Sequence, residues 1–132
     1  MDEAWPVFFP SPLAGEGQGR GNAAARFLPA PFVKVLEITN VDFSLRQFLL
    51  PLMRGIRARG HEVIGVCAEG PLLELPRAEG FRIVPMPFER SRSIAAQWRA
   101  LRALVALMRA ERPDIVHAHM PISGFLARLA AR

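Results

Sequence analysis

Hydrophobic positions change their spacing several times along this chain, and the changes mark its elements. Residues 33–39, Val33-Lys34-Val35-Leu36-Glu37-Ile38-Thr39, form a short β-branched run that predicts a strand. Leu45, Phe48, Leu49, Leu52, Met53 and Ile56 then recur at helical steps and make one apolar stripe. Asp42 or Ser44 is placed to cap that helix and Gly60 to end it, while Pro51 inside it removes one ladder bond and predicts a kink. Residues 62–68 predict a second strand, 70–79 a short helix interrupted by Pro76, and 81–85 a third strand. Ser93 stands before a long helix whose Ile94, Trp98, Leu101, Val105 and Met108 repeat at steps of four and three, and Pro113 closes it. A fourth strand over 114–119 and a fourth helix over 121–132 complete the pattern.

Strands that alternate with helices through short connections imply right-handed crossovers and a parallel sheet covered on both faces. The expected fold is therefore α/β: an open, doubly wound, Rossmann-like parallel sheet of four strands in the order 3-2-1-4. In that order strands one and four lie side by side and their connections leave in opposite directions, opening a crevice beyond their carboxyl ends. The segment 40–44 should thus face the segment 119–124. Residues 1–31 lack such periodicity; the stretch 10–21 mixes Pro and Gly and has little with which to offset ordering entropy. This extension reads as a disordered tail or as non-coding sequence translated from an upstream start codon, with the folded domain over 32–132.

Composition narrows the class. Of 132 residues, 51% are hydrophobic and 22% charged, enough apolar material for one core and too much for a disordered chain. One cysteine, Cys67, excludes an intramolecular disulfide and a cysteine-built metal site. The longest uncharged run, 115–127, is shorter than the about 20 apolar residues of a spanning helix and is broken by His117, His119, Pro121 and Gly124. An acidic opening, Met1-Asp2-Glu3, lacks the basic start of a secretory signal, so a cytoplasmic protein is expected. The net charge is +5, and all basic residues but Lys34 are arginine. These arginines are scattered, which points to a solvated surface rather than nucleic acid, with weak attraction to an anionic membrane face as the second reading.

Candidate chemistry gathers at the crevice. His119 ends the fourth strand, where an imidazole can take a proton or hydrogen-bond a sugar hydroxyl; the plainer alternative is a polar strand end bonded to backbone. His117 shares its side of the strand, yet a metal site asks for a third ligand, and the sequence offers only Asp114 and distant carboxylates, so no metal is expected. Asn40, Asp42 and Ser44 lie before a helix amino terminus, a setting suited to a polar hydroxyl or phosphate, though without the glycines that close approach to pyrophosphate requires. Pro121 and Ser123 occupy the facing loop, and Arg90 leads from strand three into the long helix. Asp42 as a cap and Arg90 as a solvated side chain are the competing readings. His61, at the far end of the sheet, reads as structural.

The ordered set Lys34-Val35-Leu36-Glu37-Ile38-Thr39, Phe48-Leu49-Leu50-Pro51-Leu52, Arg57-Ala58-Arg59-Gly60-His61-Glu62-Val63, Ala78-Glu79-Gly80-Phe81 and Arg112-Pro113-Asp114-Ile115-Val116-His117-Ala118-His119 resembles the amino-terminal domain of family 4 glycosyltransferases, which have the two-domain GT-B fold. The resemblance covers 33–132. It implies retaining transfer of a sugar from a nucleotide-sugar donor to a glycan or lipid-linked acceptor hydroxyl, with no metal and no cofactor. It also implies that His119 lies against the donor sugar, while a carboxyl-terminal domain holds most of the nucleotide. Two features depart from the pattern: Asn40-Val41-Asp42-Phe43 replaces a glycine-rich loop, and the chain stops before a donor domain begins. The expectation is a fragment, a split subunit or a remnant, inactive alone; a free-standing Rossmann-like binding module is the rival.

Overall fold

The computed structural model of the chain describes residues 31–88 and 93–132. Its sheet has four parallel strands, β1 (Lys34–Ile38), β2 (Glu62–Cys67), β3 (Arg82–Pro85) and β4 (Ile115–Ala118), in the order β3-β2-β1-β4. This is the expected α/β class and strand order. Central β1 pairs with β2 from Lys34 opposite Glu62 to Ile38 opposite Val66, and with β4 from Val35 opposite Ile115 to Ile38 opposite Ala118.

Side chains alternate across β1 and so feed two separate cores. Val35 packs with Leu45, Leu49, Leu50, Met53, Val63 and Phe81, beneath the helix α2 (Leu50–Ala58). Leu36 and Ile38 join Ile64, Val66, Ala100, Leu104 and Leu126 beneath α4 (Ile94–Glu111) and α5 (Pro121–Ala130). Burial of one large aliphatic side chain contributes about 1.5–3 kcal/mol, so the two layers together hold the sheet between them. One glycine makes room for this packing: a Cβ on Gly65 would press on Ile83 Cδ1, Leu45 Cδ1 and Met53 Cε.

The first helical segment differs from the sequence reading in three ways. Val41, not Asp42 or Ser44, takes the N-cap position, and α1 (Asp42–Ser44) has no side-chain cap. The Asp42 carboxylate is engaged elsewhere: Oδ1 accepts from the Phe43 amide at 2.8 Å and Oδ2 from the Leu72 amide at 3.2 Å. Pro51 does not interrupt a regular α-helix; it stands in the first turn of α2, directly after a π-helical turn over Leu45–Leu49. Proline cannot donate to the carbonyl four residues back and its ring crowds that carbonyl, and the wider turn, in which the Leu50 amide reaches Leu45 O, removes the conflict. Gly60 ends the segment at φ 82°, a conformation glycine adopts freely.

Residues after β2 form a 3₁₀ turn (Pro71–Leu73) and a short helix, α3 (Glu74–Ala78), with Pro76 buried in it. In α4 the covered face is Ala96, Ala100 and Leu104, whereas Ile94 and Trp98 of the expected stripe are 76% and 60% exposed. Small alanines let this helix approach the sheet; Ile94 and Trp98 turn outward, while Leu101 and Met108 pack against the edge of the second core. Ile94, Trp98 and Leu101 line an open groove of about 460 Å³ with Phe125, Leu126 and Leu129 of α5. Among the described residues no helix is long and apolar enough to cross a membrane.

Candidate functional site

Strands β1 and β4 end side by side. The His119 amide donates to Ile38 O at 2.8 Å, so the β1–β4 ladder runs one residue past β4 before the chains part, while on the other side of β1 the Thr39 amide donates to Val66 O of β2 at 2.9 Å. Met120 follows at φ 80°, rare for a residue with a side chain, and Pro121 opens α5 in the first turn, where no amide hydrogen is needed. Ser123, fully buried, fixes this corner by donating its hydroxyl to His119 O and, at 3.4 Å, to Met120 O. Across the notch, Thr39 Oγ1 and Ser44 Oγ approach the Met120 sulfur at 3.5 and 4.0 Å. The segments 40–44 and 119–124 therefore do face one another.

Below this notch sits a cluster that the sequence reading did not assemble. Glu37 lies opposite His117 in the β1–β4 register and is 1% exposed. Its Oε1 stands 3.2 Å from His117 Nδ1 and its Oε2 2.8 Å from His119 Nε2. The two imidazoles are neighbours, with centroids 4.1 Å apart and planes inclined at 55°. Of the carboxylates the sequence offered, parallel pairing brings a distant one, Glu37 from 80 residues away, beside the histidines, while Asp114 Oδ2 accepts from the Lys34 amide at 2.8 Å. One signal was present in the sequence, since Glu37 is a lone acid between apolar Leu36 and Ile38 in the central strand, and a polar group so placed must find partners.

The sequence-predicted candidates separate into groups. His119 joins the cluster, and Ser44 and Pro121 border the notch. Asn40 adjoins it, and its Oδ1 is buried without a hydrogen-bond partner. Asp42 and Ser123 spend their oxygens on backbone groups, as described. Arg90 lies outside the described residues. His117 lines two cavities along β4, one of about 260 Å³ with Gly124 and Arg128, and one of about 320 Å³ with Glu37, Leu52, Ile56 and His61; His119 borders neither. His61 stands before β2, as expected, with Nδ1 buried and unpartnered. Cys67 is buried and its thiol is pushed up to about 12, first by desolvation and then by the nearby Asp42 and Glu69 charges, which leaves it protonated and inert as a nucleophile.

An open parallel sheet whose central pair diverges beside a polar notch defines a Rossmann-like α/β protein. Solved structures share this fold: a glycosyltransferase from Rickettsia africae ESF-5 (TM-score 0.64, 16% identity, 76% of this chain and 27% of that one) and MurG from Acinetobacter baumannii (TM-score 0.57, 15% identity, 77% and 32%). In sequence, EpsD of Bacillus subtilis (strain 168), which carries the name of a glycosyltransferase, is 37% identical over 100 residues. That match takes in 75% of this chain and 25% of EpsD, so the chain spans about a quarter of that relative's length. The family model for Glycosyltransferase Family 4 matches residues 46–132, and the chain belongs to that family.

Proposed function

We propose that this chain supplies the acceptor-side domain of a retaining glycosyltransferase that moves a sugar from a nucleotide-sugar donor to a glycan or lipid-linked acceptor hydroxyl. The observation that carries the reading is the notch between β1 and β4 in a chain of this family, with His119 at its edge and held by Glu37 at 2.8 Å. Such a transfer builds positive charge at the anomeric carbon and negative charge on the departing phosphate, and preorganised groups lower the barrier where those charges appear. His119 and the carbonyls around it would meet the sugar; Asn40, whose Oδ1 lacks a partner, and Ser44 and Pro121 would line the acceptor approach. Neutralising the phosphate falls to a donor-binding domain, so the 132 residues alone are proposed to be inactive. Polysaccharide or lipid-linked glycan assembly at the cytoplasmic membrane face is the setting proposed for them.

The test joins or mixes this chain with a family 4 donor-binding domain and follows transfer of radiolabelled sugar from a panel of nucleotide sugars. Transfer should appear only in the combined system, and His119→Ala should lower turnover at least 100-fold while His61→Ala leaves it within threefold. Equal losses from the two substitutions would remove His119 from the mechanism, and no transfer with any donor would remove the activity.

A further inference from the structure

We infer that the outer face of α4 and α5 is a docking surface for an anionic phospholipid bilayer. Ile94 and Trp98 of α4 and Phe125 and Leu129 of α5 flank the apolar groove of about 460 Å³ between the two helices. Ile122 continues the same face of α5, one residue past Pro121 at the border of the notch. Phe125 is 63% exposed, close to Trp98, so two aromatic rings and three aliphatic side chains stand in water together. Single apolar side chains are ordinary on a surface, whereas a contiguous set marks a contact with a partner.

The charges around the patch select that partner. From Ile94 to Arg132 the chain has six arginines and two acids. Neither acid faces the patch: Glu111 accepts from Lys34 and Arg82, and Asp114 from the Lys34 amide, at the opposite end of the sheet. Arg102 follows Trp98 by four residues and Arg128 follows Phe125 by three, so an exposed guanidinium stands one turn along from each ring. Among the described residues no ion pair engages Arg102, Arg109 or Arg128. Exposed rings bordered by arginine make an interfacial helix face, which sinks its rings to the headgroup boundary and offers its guanidiniums to lipid phosphates. A second copy of this chain would instead bring like charges together. Placement agrees: Glu111 touches Lys34 at the start of β1, so Ile94 and Trp98 lie toward the carboxyl end of the sheet, where α5 and the notch also begin. A bilayer against this face brings the notch to the surface that would carry a lipid-linked acceptor. The inference rests on the proposed transferase reading for its purpose, but not for its measurement.

Flotation with vesicles of about 30% phosphatidylglycerol in phosphatidylcholine should carry the purified chain, and vesicles of phosphatidylcholine alone should carry at least tenfold less. In a Trp5→Phe chain, where Trp98 is the remaining indole, the anionic vesicles should shift the fluorescence to shorter wavelength and brominated lipid should quench it. Trp98→Ser combined with Phe125→Ser should weaken binding at least tenfold, and Arg102→Gln or Arg128→Gln about fivefold each. Phe48→Ser, equally exposed but on the other layer of the sheet, should leave binding unchanged. All these positions are exposed, and circular dichroism checks that each variant folds. Neither donor nor acceptor is present, so failure here overturns the surface while the transferase reading is decided separately by sugar transfer. No binding, equal binding to both vesicles, or full binding by a folded Trp98→Ser, Phe125→Ser chain would overturn the inference. A dimer that those two substitutions dissolve, in a chain that ignores vesicles, would overturn it in favour of a second copy.

Discussion

Asp42 and Gly70 form a latch between the start of α1 and the turn that follows β2. Gly70 is in an extended conformation, so its requirement is space and not backbone freedom. A Cβ there would overlap Oδ2 and Cγ of Asp42 and stand 3.0 Å from its Cβ. That carboxylate cannot swing aside without losing the Leu72 amide, which it accepts at 3.2 Å. Gly70→Ala should therefore cost about 1–3 kcal/mol through overpacking and one lost hydrogen bond. Asp42→Gly removes the three atoms the new methyl meets. In that background Gly70→Ala should cost less than about 0.5 kcal/mol, a coupling that a urea double-mutant cycle measures directly. Equal costs in both backgrounds would show that the latch does not constrain the turn.

At the level of elements, the long helix α4 separates apolar pattern from burial. Ala100 is 2% exposed and faces Leu36 and Ile38 of the sheet, whereas Trp98 is 60% exposed on the groove side. Ala100→Leu should destabilise the fold by about 1–3 kcal/mol, because the added atoms overpack the layer that Ala100 shares with Leu36, Ile38 and Leu104. Trp98→Ala should stay within about 0.5 kcal/mol, as for an exposed position. Both are read from urea midpoints, and the reverse ranking would mean that the helix is rotated. This is also where legibility in the sequence ended. Strand and helix positions followed from β-branched runs separated by helical spacing, because those patterns reflect the backbone's own periodicities, and the strand order followed from the usual course of a doubly wound sheet. The rotation of α4 did not, since Ile94, Trp98 and Leu101 are as regular a stripe as the alanine face, and only the neighbouring layers decide which is covered. Pro51 announced a disturbance, but spacing alone does not distinguish a kink from a π-helical turn. His119 was visible at the strand end; its partner Glu37 was not, because that contact depends on the register of two strands 80 residues apart.

Over the whole molecule, the end of the sheet opposite the notch is closed by charge. Glu111, near the end of α4, accepts from Arg82 of β3 at 3.0 and 2.5 Å and from Lys34 of β1 at 3.4 Å, and Lys34 also reaches Glu62 of β2 at 3.4 Å. One carboxylate thus ties a helix to both a central and an edge strand. The Arg82 hydrogen bonds hold the Glu111 carboxyl below its usual range, opposed by desolvation and aided by Lys34. Arg54 does the same for Glu79, between α2 and the end of α3, and Arg77 for Glu69 beside the 3₁₀ turn. A carboxylate with a lowered folded pKa binds protons more weakly in the native chain than in the unfolded one. Its stabilisation is complete above the unfolded value of about 4.3 and is lost as pH falls through the folded value. The melting temperature should therefore drop steeply below about pH 4.5. In Glu111→Gln, which cannot titrate there, the chain should melt lower at pH 7 but lose less on acidification, so that the two curves converge at low pH. Raising salt at pH 7 should narrow the same gap, because Arg82 is solvent-exposed and its attraction is screened. Parallel melting curves from pH 7 to pH 3 would show that the Glu111 clamp contributes nothing to the acid sensitivity of the fold.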